Sequence, residues 1–365
     1  MWKQVMKNKI PVGILGATGM VGQRLILLLQ DHPWFEVVCV VASEKSAGKA
    51  YTEAVEGRWT REVPIPKNIA TLSVQSIERD MAVIADKVRL VFSAIEAEKE
   101  FVKHIEEAYA SAGVPVISNN SAHRWTEDIP MIMPEINMHH LEMIDVQRKK
   151  RGWKNGCIIT KPNCSIQCYV PLLHVWKKYN PQNVIVSTYQ AISGAGKTFA
   201  TYPEIIDNVI PYIAGEEDKS EKEPSKILAE IKNSAFNFSD MPHLSVNCLR
   251  VPVSDGHLAT IHIQFKKEVE KQELIDAILN FQNPLDTLQL PSAPSPFLTY
   301  FEEDDRPQTQ LDRDLHHGMG ISVGRIRKDS VLDWKCVALS HNTLRGAAGG
   351  SVLTAELLLK TGYIR

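Results

Sequence analysis

"PVGILGATGMVGQRLILLLQ", residues 11–30, decides how this chain is read. A short apolar run gives way to glycines at 16, 19 and 22, and then to a leucine-rich segment that ends at His32 and Pro33. The next apolar run, "FEVVCVVAS" (35–43), closes a βαβ unit of about thirty residues, the size of a nucleotide-binding half-fold. Glycine in the first turn lets the backbone bend sharply against a pyrophosphate, which the free N–H groups and dipole of the following helix attract. The spacing G-x-x-G-x-x-G also occurs in purely structural turns. Here the strand before it and the helix after it point to a dinucleotide, held at Gly16, Thr18, Gly19, Met20, Val21 and Gly22.

The end of the second strand selects the dinucleotide, because an acidic side chain there grips a ribose 2′-hydroxyl whereas basic and hydroxyl groups accept a 2′-phosphate. The residues are Ser43, Glu44, Lys45, Ser46 and, further on, Lys49. Hydroxyls and lysines outnumber the one acid, so NADP is expected, with Ser43 and Ser46 on the phosphate.

Working outward, "VRLVFSAI" (88–95) and "VPVISNNS" (114–121) are further strands, separated by a segment whose Phe101, Val102, Ile105 and Ala108 recur at helical spacing. Alternating strand and helix predicts an α/β, Rossmann-type, doubly wound parallel sheet over residues 1–163. Beyond Cys164 the pattern changes. "NVIVSTYQAISGAG" (183–196), "HLATIHIQF" (257–265) and "VLDWKCVAL" (331–339) read as longer strands, with only "KQELIDAILNFQ" clearly helical between them. A second α+β domain on a mixed or mostly antiparallel sheet is expected over 164–344. The "AGEEDKSEKEPSKILAEI" charge run suits a solvated surface, and a leucine-rich C-terminal helix over 345–365 is expected to fold back on the first domain.

The chain has 365 residues, 44% hydrophobic and 23% charged, enough for a substantial core in two domains. A formal net charge of −2 carries no basic field for nucleic acid or a membrane surface, so small molecules are the expected partners. The start, "MWKQVMKNKIPVGILGATGM", has no leader-type cleavage site, and no run approaches the roughly 18 apolar residues of a membrane span. Six scattered cysteines lack the density of a disulfide scaffold, which fits a reducing cytoplasm.

One of those cysteines stands apart. In "IITKPNCSIQCYV" (158–170) a β-branched run stops at Pro162 and Asn163, presents Cys164, and turns into a predicted helix containing Pro171. A helix N-terminus lowers a thiol pKa and offers N–H groups to an oxyanion, so Cys164 is a candidate nucleophile, although most free cysteines are small buried hydrophobes. Cys168 completes a Cys-x-x-x-Cys, but no second pair follows, and no metal site is expected. Downstream, "LRVPVSDGHLATIHIQF" holds Arg250 and His257, with Pro252 and Gly256 bending the chain between them. Arginine forks onto carboxylates and imidazole exchanges protons near neutrality.

Taken together and in this order, "GATGMVG", "PNCS", "YQAISGAG" and "RVPVSDGH" resemble the aspartate-semialdehyde dehydrogenase family, in the branch found in archaea, fungi and many Gram-positive bacteria. The resemblance implies reversible NADPH-dependent reduction of β-aspartyl phosphate to aspartate 4-semialdehyde and phosphate, on the route to lysine, threonine, methionine and isoleucine. It makes Cys164 the nucleophile and His257 the acid/base. Arg250 would bind the substrate α-carboxylate, Gln190 and Asn163 would orient the substrate, and Glu216 would hold its amino group. Lys219 and Arg124 would hold phosphate. For the cofactor it adds Ser93, Gly194 and Asn342, and for assembly a homodimer or homotetramer. Two related enzymes, malonyl-CoA reductase and N-acetyl-γ-glutamyl-phosphate reductase, share the cysteine and the cofactor domain. A non-catalytic dinucleotide sensor is the alternative from outside enzymes.

Overall fold

A computed structural model describes residues 6, 8–61, 63–238 and 241–364. Most of the charged start of the chain (residues 1–5 and 7), and the last residue of the range 345–365, lie outside the described residues. The first half forms a six-stranded, all-parallel sheet in the order β3-β2-β1-β4-β5-β6. Its strands are β1 (Ile10–Leu15), β2 (Phe35–Ala42), β3 (Gln75–Ser76), β4 (Leu90–Ser93), β5 (Val116–Ser118) and β6 (Ile158–Thr160). The order reverses between β1 and β4, so the loops that follow those two strands part and leave a crevice at their carboxyl ends. The β4 and β6 runs are wholly buried, as expected of strands covered on both faces.

Helix α1 (Met20–Leu29) covers one face of this sheet. Its Leu25, Ile26 and Leu29 are buried, each worth about 1.5–3 kcal/mol of apolar transfer. The helix Gly349–Lys360 lies beside it and is buried from Gly349 to Leu358 on every side, so it is hydrophobic without being amphipathic. Its Leu353, Ala355 and Leu357 join Leu25, Ile26 and Trp34 in one core. Glu356 accepts from His32 Nε2 at 2.9 Å inside that core.

The second sheet is mixed, in the order β10-β7-β11-β14-β13-β12. It comprises β7 (Pro181–Gln190), β10 (His243–Arg250), β11 (His257–Phe265), β12 (Leu298–Phe301), β13 (Ile321–Lys328) and β14 (Trp334–Ser340), with β8 (Glu230–Lys232) and β9 (Ala235–Asn237) forming a separate hairpin. β7 runs parallel to β10 and antiparallel to β11. The fold class and its mixed second sheet agree with the sequence reading.

Four local expectations need correction. The strand expected to run to residue 196 stops at Gln190, because Ala191 turns into a 3-10 segment at Ile192–Ala195. The charge run at 216–228 is a helix, Glu216–Leu228, whose Ser220, Glu223 and Ile227 are buried at helical spacing. Cys164 opens a 3-10 turn, Ser165–Gln167, and the α-helix begins only at Val170, where Pro171 sits harmlessly in the first turn. The C-terminal helix starts at Gly349, after a π-turn at Leu344–Ala348. Among the described residues, no helix is long and apolar enough to cross a membrane.

Candidate active site

Strand geometry brings residues far apart in sequence to one place. Cys164 follows β6 at the carboxyl edge of the first sheet. Gln190 ends β7, Arg250 ends β10 and His257 begins β11, all at one end of the second sheet, with Gln190 and Arg250 in register. The two edges meet there. Cys164 Sγ lies 3.4 Å from His257 Nε2. It is the one cysteine of the six that is not fully buried.

Ala191, where β7 ends, organises the partners. Its N–H donates to His257 Nδ1 at 3.0 Å and its carbonyl accepts from Arg250 Nη1 at 2.7 Å. An imidazole that accepts at Nδ1 carries its neutral-state proton on Nε2, the nitrogen facing the sulfur. Burial first, and the Arg250 charge second, lower the His257 pKa to about 3. For the thiol the expectation fails: burial, reinforced by Glu216, pushes Cys164 up to about 12 against the pull of Arg124 and Arg250. A 3-10 turn in place of an α-helix supplies little dipole to oppose this. The free site therefore pairs a neutral thiol with a neutral imidazole that donates.

Gly194 packs where a side chain would collide, since an added Cβ would stand 3.0 Å from Arg250 Nη1 and 3.1 Å from His257 Cε1. Gln190 is buried and turns its amide onto Thr188 Oγ1 at 3.3 Å.

The helix Glu216–Leu228 lays a charged face against the nucleophile's loop. Glu216 accepts from Asn163 Nδ2 at 2.7 Å and pairs with Lys219 at 2.9 Å. Burial alone would raise the Glu216 pKa, but Lys219 and the Asn163 hydrogen bond outweigh it and hold the carboxyl below its usual range. Asn163 Oδ1 lies 3.5 Å from the Cys164 sulfur. Arg124 is buried, donating to the Lys161 carbonyl at 2.9 Å and to Glu223 at 2.8 Å. Glu223 also accepts the Asn163 N–H at 2.7 Å. Sequence reading missed Glu223. The signal was the spacing 216, 220, 223, which puts three polar side chains on one helical face.

The dinucleotide turn lies across the crevice. Gly16 has φ +81°, and a Cβ there would stand 2.2 Å from the Ala94 carbonyl. At Gly22 it would stand 2.3 Å from the Gly16 carbonyl. Only glycine fits at both, which leaves bare backbone to face a pyrophosphate. A cleft of about 460 Å³ opens here, bounded by Gly16, Thr18, Gly19, Ser43, Lys45 and Arg58, among others. Ser43 is exposed to it and Ser46 is buried behind, 3.5 Å from Arg58 Nη2. Glu44, the acid that opposes a 2′-phosphate, is turned onto Ser76 and onto Arg79, 3.1 Å away. Bare glycine backbone beside Lys45 and Arg58 fits a phosphorylated dinucleotide. Met20, at the start of α1, approaches the second half of the chain: its Sδ is 3.8 Å from a Cβ placed on Gly196.

Two expected cofactor contacts have their polar groups engaged within the protein. The Ser93 hydroxyl accepts from Asn120 at 3.1 Å in a cluster with buried Glu106. Asn342 ties two loops, accepting from the Gly256 N–H at 2.8 Å and donating to Ser193 Oγ at 2.9 Å.

The semialdehyde dehydrogenase NAD-binding domain family matches residues 11–144, and the semialdehyde dehydrogenase dimerisation domain family matches residues 172–345. The chain is 44% identical to an aspartate-semialdehyde dehydrogenase of Archaeoglobus fulgidus, over 97% of this chain and 99% of that one. It is 40% identical to that of Aspergillus fumigatus, over 96% and 98%. Among solved structures, the aspartate-semialdehyde dehydrogenase of Candida albicans with NADP superposes with a TM-score of 0.86 at 36% identity, over 98% of this chain and 100% of that one.

Proposed function

The chain belongs to the aspartate-semialdehyde dehydrogenase family, and from that premise we propose that it reduces β-aspartyl phosphate to aspartate 4-semialdehyde and phosphate with NADPH, through a thioester on Cys164. The observation that carries this reading is the sulfur 3.4 Å from a buried imidazole, at the meeting of the dinucleotide crevice and the second sheet.

Arg250 holds the substrate α-carboxylate and Glu216 the amino group, so that the two charged ends fix the acyl carbon at the sulfur. Asn163 and Gln190 complete that orientation. Arg124 and Lys219 take the phosphate, exchanging part of their present pairing with Glu223 and Glu216 for the incoming dianion. The Cys164 sulfur attacks the acyl carbon, the carbon–oxygen bond to phosphate breaks, the thiol proton leaves on the departing phosphate, and a thioester remains. Gly16, Thr18, Gly19, Met20, Val21 and Gly22 would hold NADPH, with Ser43 and Arg58 toward its 2′-phosphate and Ser46 behind Arg58, and the cofactor would supply the hydride. The resulting tetrahedral oxygen sits within reach of the Nε2 proton of His257. When the carbon–sulfur bond breaks, the electron pair returns to sulfur, where the same proton steadies it. Ser93 and Asn342 shape the nicotinamide end, Asn342 by fixing the Gly256 and Ser193 loops, while Gly194 packs against Arg250 and His257.

Residues 1–163 with 345–365 serve as the cofactor half and 164–344 as the catalytic and pairing half. Along β11 every second residue is buried and the alternates are half-exposed. On β7, Ile185 is 43% exposed. This half-covered face suits a second copy of the chain, giving a homodimer or a tetramer built from it. Six unpaired thiols suit the cytoplasm.

The test is NADP reduction by aspartate semialdehyde with and without phosphate, alongside Cys164→Ser. Phosphate-dependent activity that falls at least about 1,000-fold in the variant is expected. Near-normal turnover of Cys164→Ser, or CoA in place of phosphate as the required acceptor, would sink the reading.

A further inference from the structure

Arg345 and Lys161 take no part in the chemistry above, yet both are buried directly behind the nucleophile. The Arg345 guanidinium makes a two-pronged pair with Glu135, at 2.5 and 2.6 Å, with neither side chain exposed. Its Nε donates to Gln167 Oε1 at 3.2 Å, and the Gln167 amide donates in turn to the Asn163 carbonyl at 3.3 Å. The Arg345 carbonyl accepts from Lys161 Nζ at 3.2 Å. One arginine thus holds both ends of the Lys161–Asn163 segment that delivers Cys164, through its side chain at one end and its backbone at the other.

The backbone around Arg345 explains why this matters. It lies in the π-turn Leu344–Ala348, where Gly346 donates to the His341 carbonyl at 3.0 Å and Ala348 to the Thr343 carbonyl at 3.1 Å. π-turns inside helices are rare and concentrate at functional positions. This one presses Gly346 onto the nucleophile: a Cβ there would stand 2.6 Å from Cys164 Cβ and 3.0 Å from its Cα. Gly350, one turn on, leaves room for the Lys161 amine, which a Cβ would meet at 2.1 Å. Burial first and the Arg345 charge second lower the Lys161 pKa to about 7, so a hydrogen bond more than a full charge holds the amine there.

We propose that Arg345, Gln167 and Lys161 form a positioning clamp that wedges the π-turn against Cys164 and aims its sulfur at His257. The proposal rests on the reading of Cys164 as the nucleophile. The hydrogen bonds of the clamp end on Asn163, Gln167 and Arg345 and not on the sulfur. The clamp fixes the backbone on either side, and a displacement of about 1 Å at a reacting atom costs on the order of 100-fold in rate.

Two near-isosteric variants test it while leaving the Arg345–Glu135 pair intact. Gln167→Met removes the amide bridge, and Lys161→Met removes a buried amine in favour of an apolar chain, an exchange that need not cost stability. In each, kcat is expected to fall about 10- to 100-fold, with KM for NADP and for the semialdehyde within about twofold. Iodoacetamide labelling of Cys164 should slow alongside kcat, while the thermal midpoint holds. Gly346→Ala, which drives a methyl into Cys164, should reproduce the kcat loss with the clamp residues present. Unchanged kcat and labelling in both methionine variants would overturn the clamp, as would loss confined to the thermal midpoint. Full activity of the wild-type enzyme after Cys164 is labelled would instead overturn the nucleophile assignment.

Discussion

Replacing Gly194 by alanine separates two readings of that position. The sequence places Gly194 against the cofactor, whereas the structure packs it against the groups that flank the thiol. The alanine methyl carbon would sit 3.0 Å from Arg250 Nη1, 3.1 Å from His257 Cε1 and 3.2 Å from its Nε2, against the roughly 3.5–4.0 Å at which non-bonded atoms rest. Gly194 is not among the positive-φ glycines, so alanine costs nothing in the backbone and all the strain falls on contacts. Neither neighbour yields freely: the Ala191 N–H fixes the imidazole at Nδ1 and the Ala191 carbonyl fixes Arg250. Overpacking of this kind costs about 1–3 kcal/mol. If most of that cost appears in the barrier, kcat falls about 5- to 150-fold, at a factor of ten per roughly 1.4 kcal/mol. Phosphate-dependent NADP reduction, followed by nicotinamide absorbance over a range of both substrates, gives kcat and each KM separately. The expected pattern is a reduced kcat, a raised KM for the semialdehyde as Arg250 shifts, and an unchanged KM for NADP. A normal kcat with a raised KM for NADP would refute the packing argument and return Gly194 to the cofactor wall.

Removing Glu223 leaves Arg124 buried without its carboxylate and the Asn163 N–H without an acceptor. Glu223→Ala should therefore cost about 3–5 kcal/mol in urea unfolding, and phosphate KM should rise with it. A loss below about 1 kcal/mol would show the pair to be dispensable. Burial, the leading cause in each case, lowers the pKa of His257 to about 3 and of His140 and His341 to about 4, from an ordinary 6.5. Between those limits the unfolded chain binds more protons than the folded one. The contribution of these three groups is therefore full above about pH 6.5 and falls on acidification, by up to about 4 kcal/mol per pH unit for three groups at about 1.4 each. Urea midpoints at pH 7, 6 and 5 measure this, and a flat profile would contradict it. At the cofactor crevice, Arg58→Ala should weaken 2′,5′-ADP binding about tenfold and spare 5′-AMP, because only the former carries the 2′-phosphate. Arg79→Ala, which frees Glu44, should shift binding from NADP toward NAD; calorimetric titration of the four ligands reads both.

The sequence by itself determined what rests on short-range rules. Gly16 and Gly22 were legible because a tight turn admits no side chain, and the strand His257–Phe265 because alternate residues face opposite sides. Cys164 stood out by chemistry and context. The linked motifs specified the family, since four separated stretches had to agree. Tertiary structure alone decided the partners and the charge states. Arg124 meets Glu223 across 99 positions and Lys161 meets Arg345 across 184. Such pairings exist only once the order of strands in two sheets has been fixed. The thiol shows the same divide: a strand followed by a helical segment predicted an acidified sulfur, but the first turn is 3-10 and packing desolvates most of the residue. Burial is a property of everything packed around an atom, and desolvation therefore outweighed a local signal that the sequence did carry.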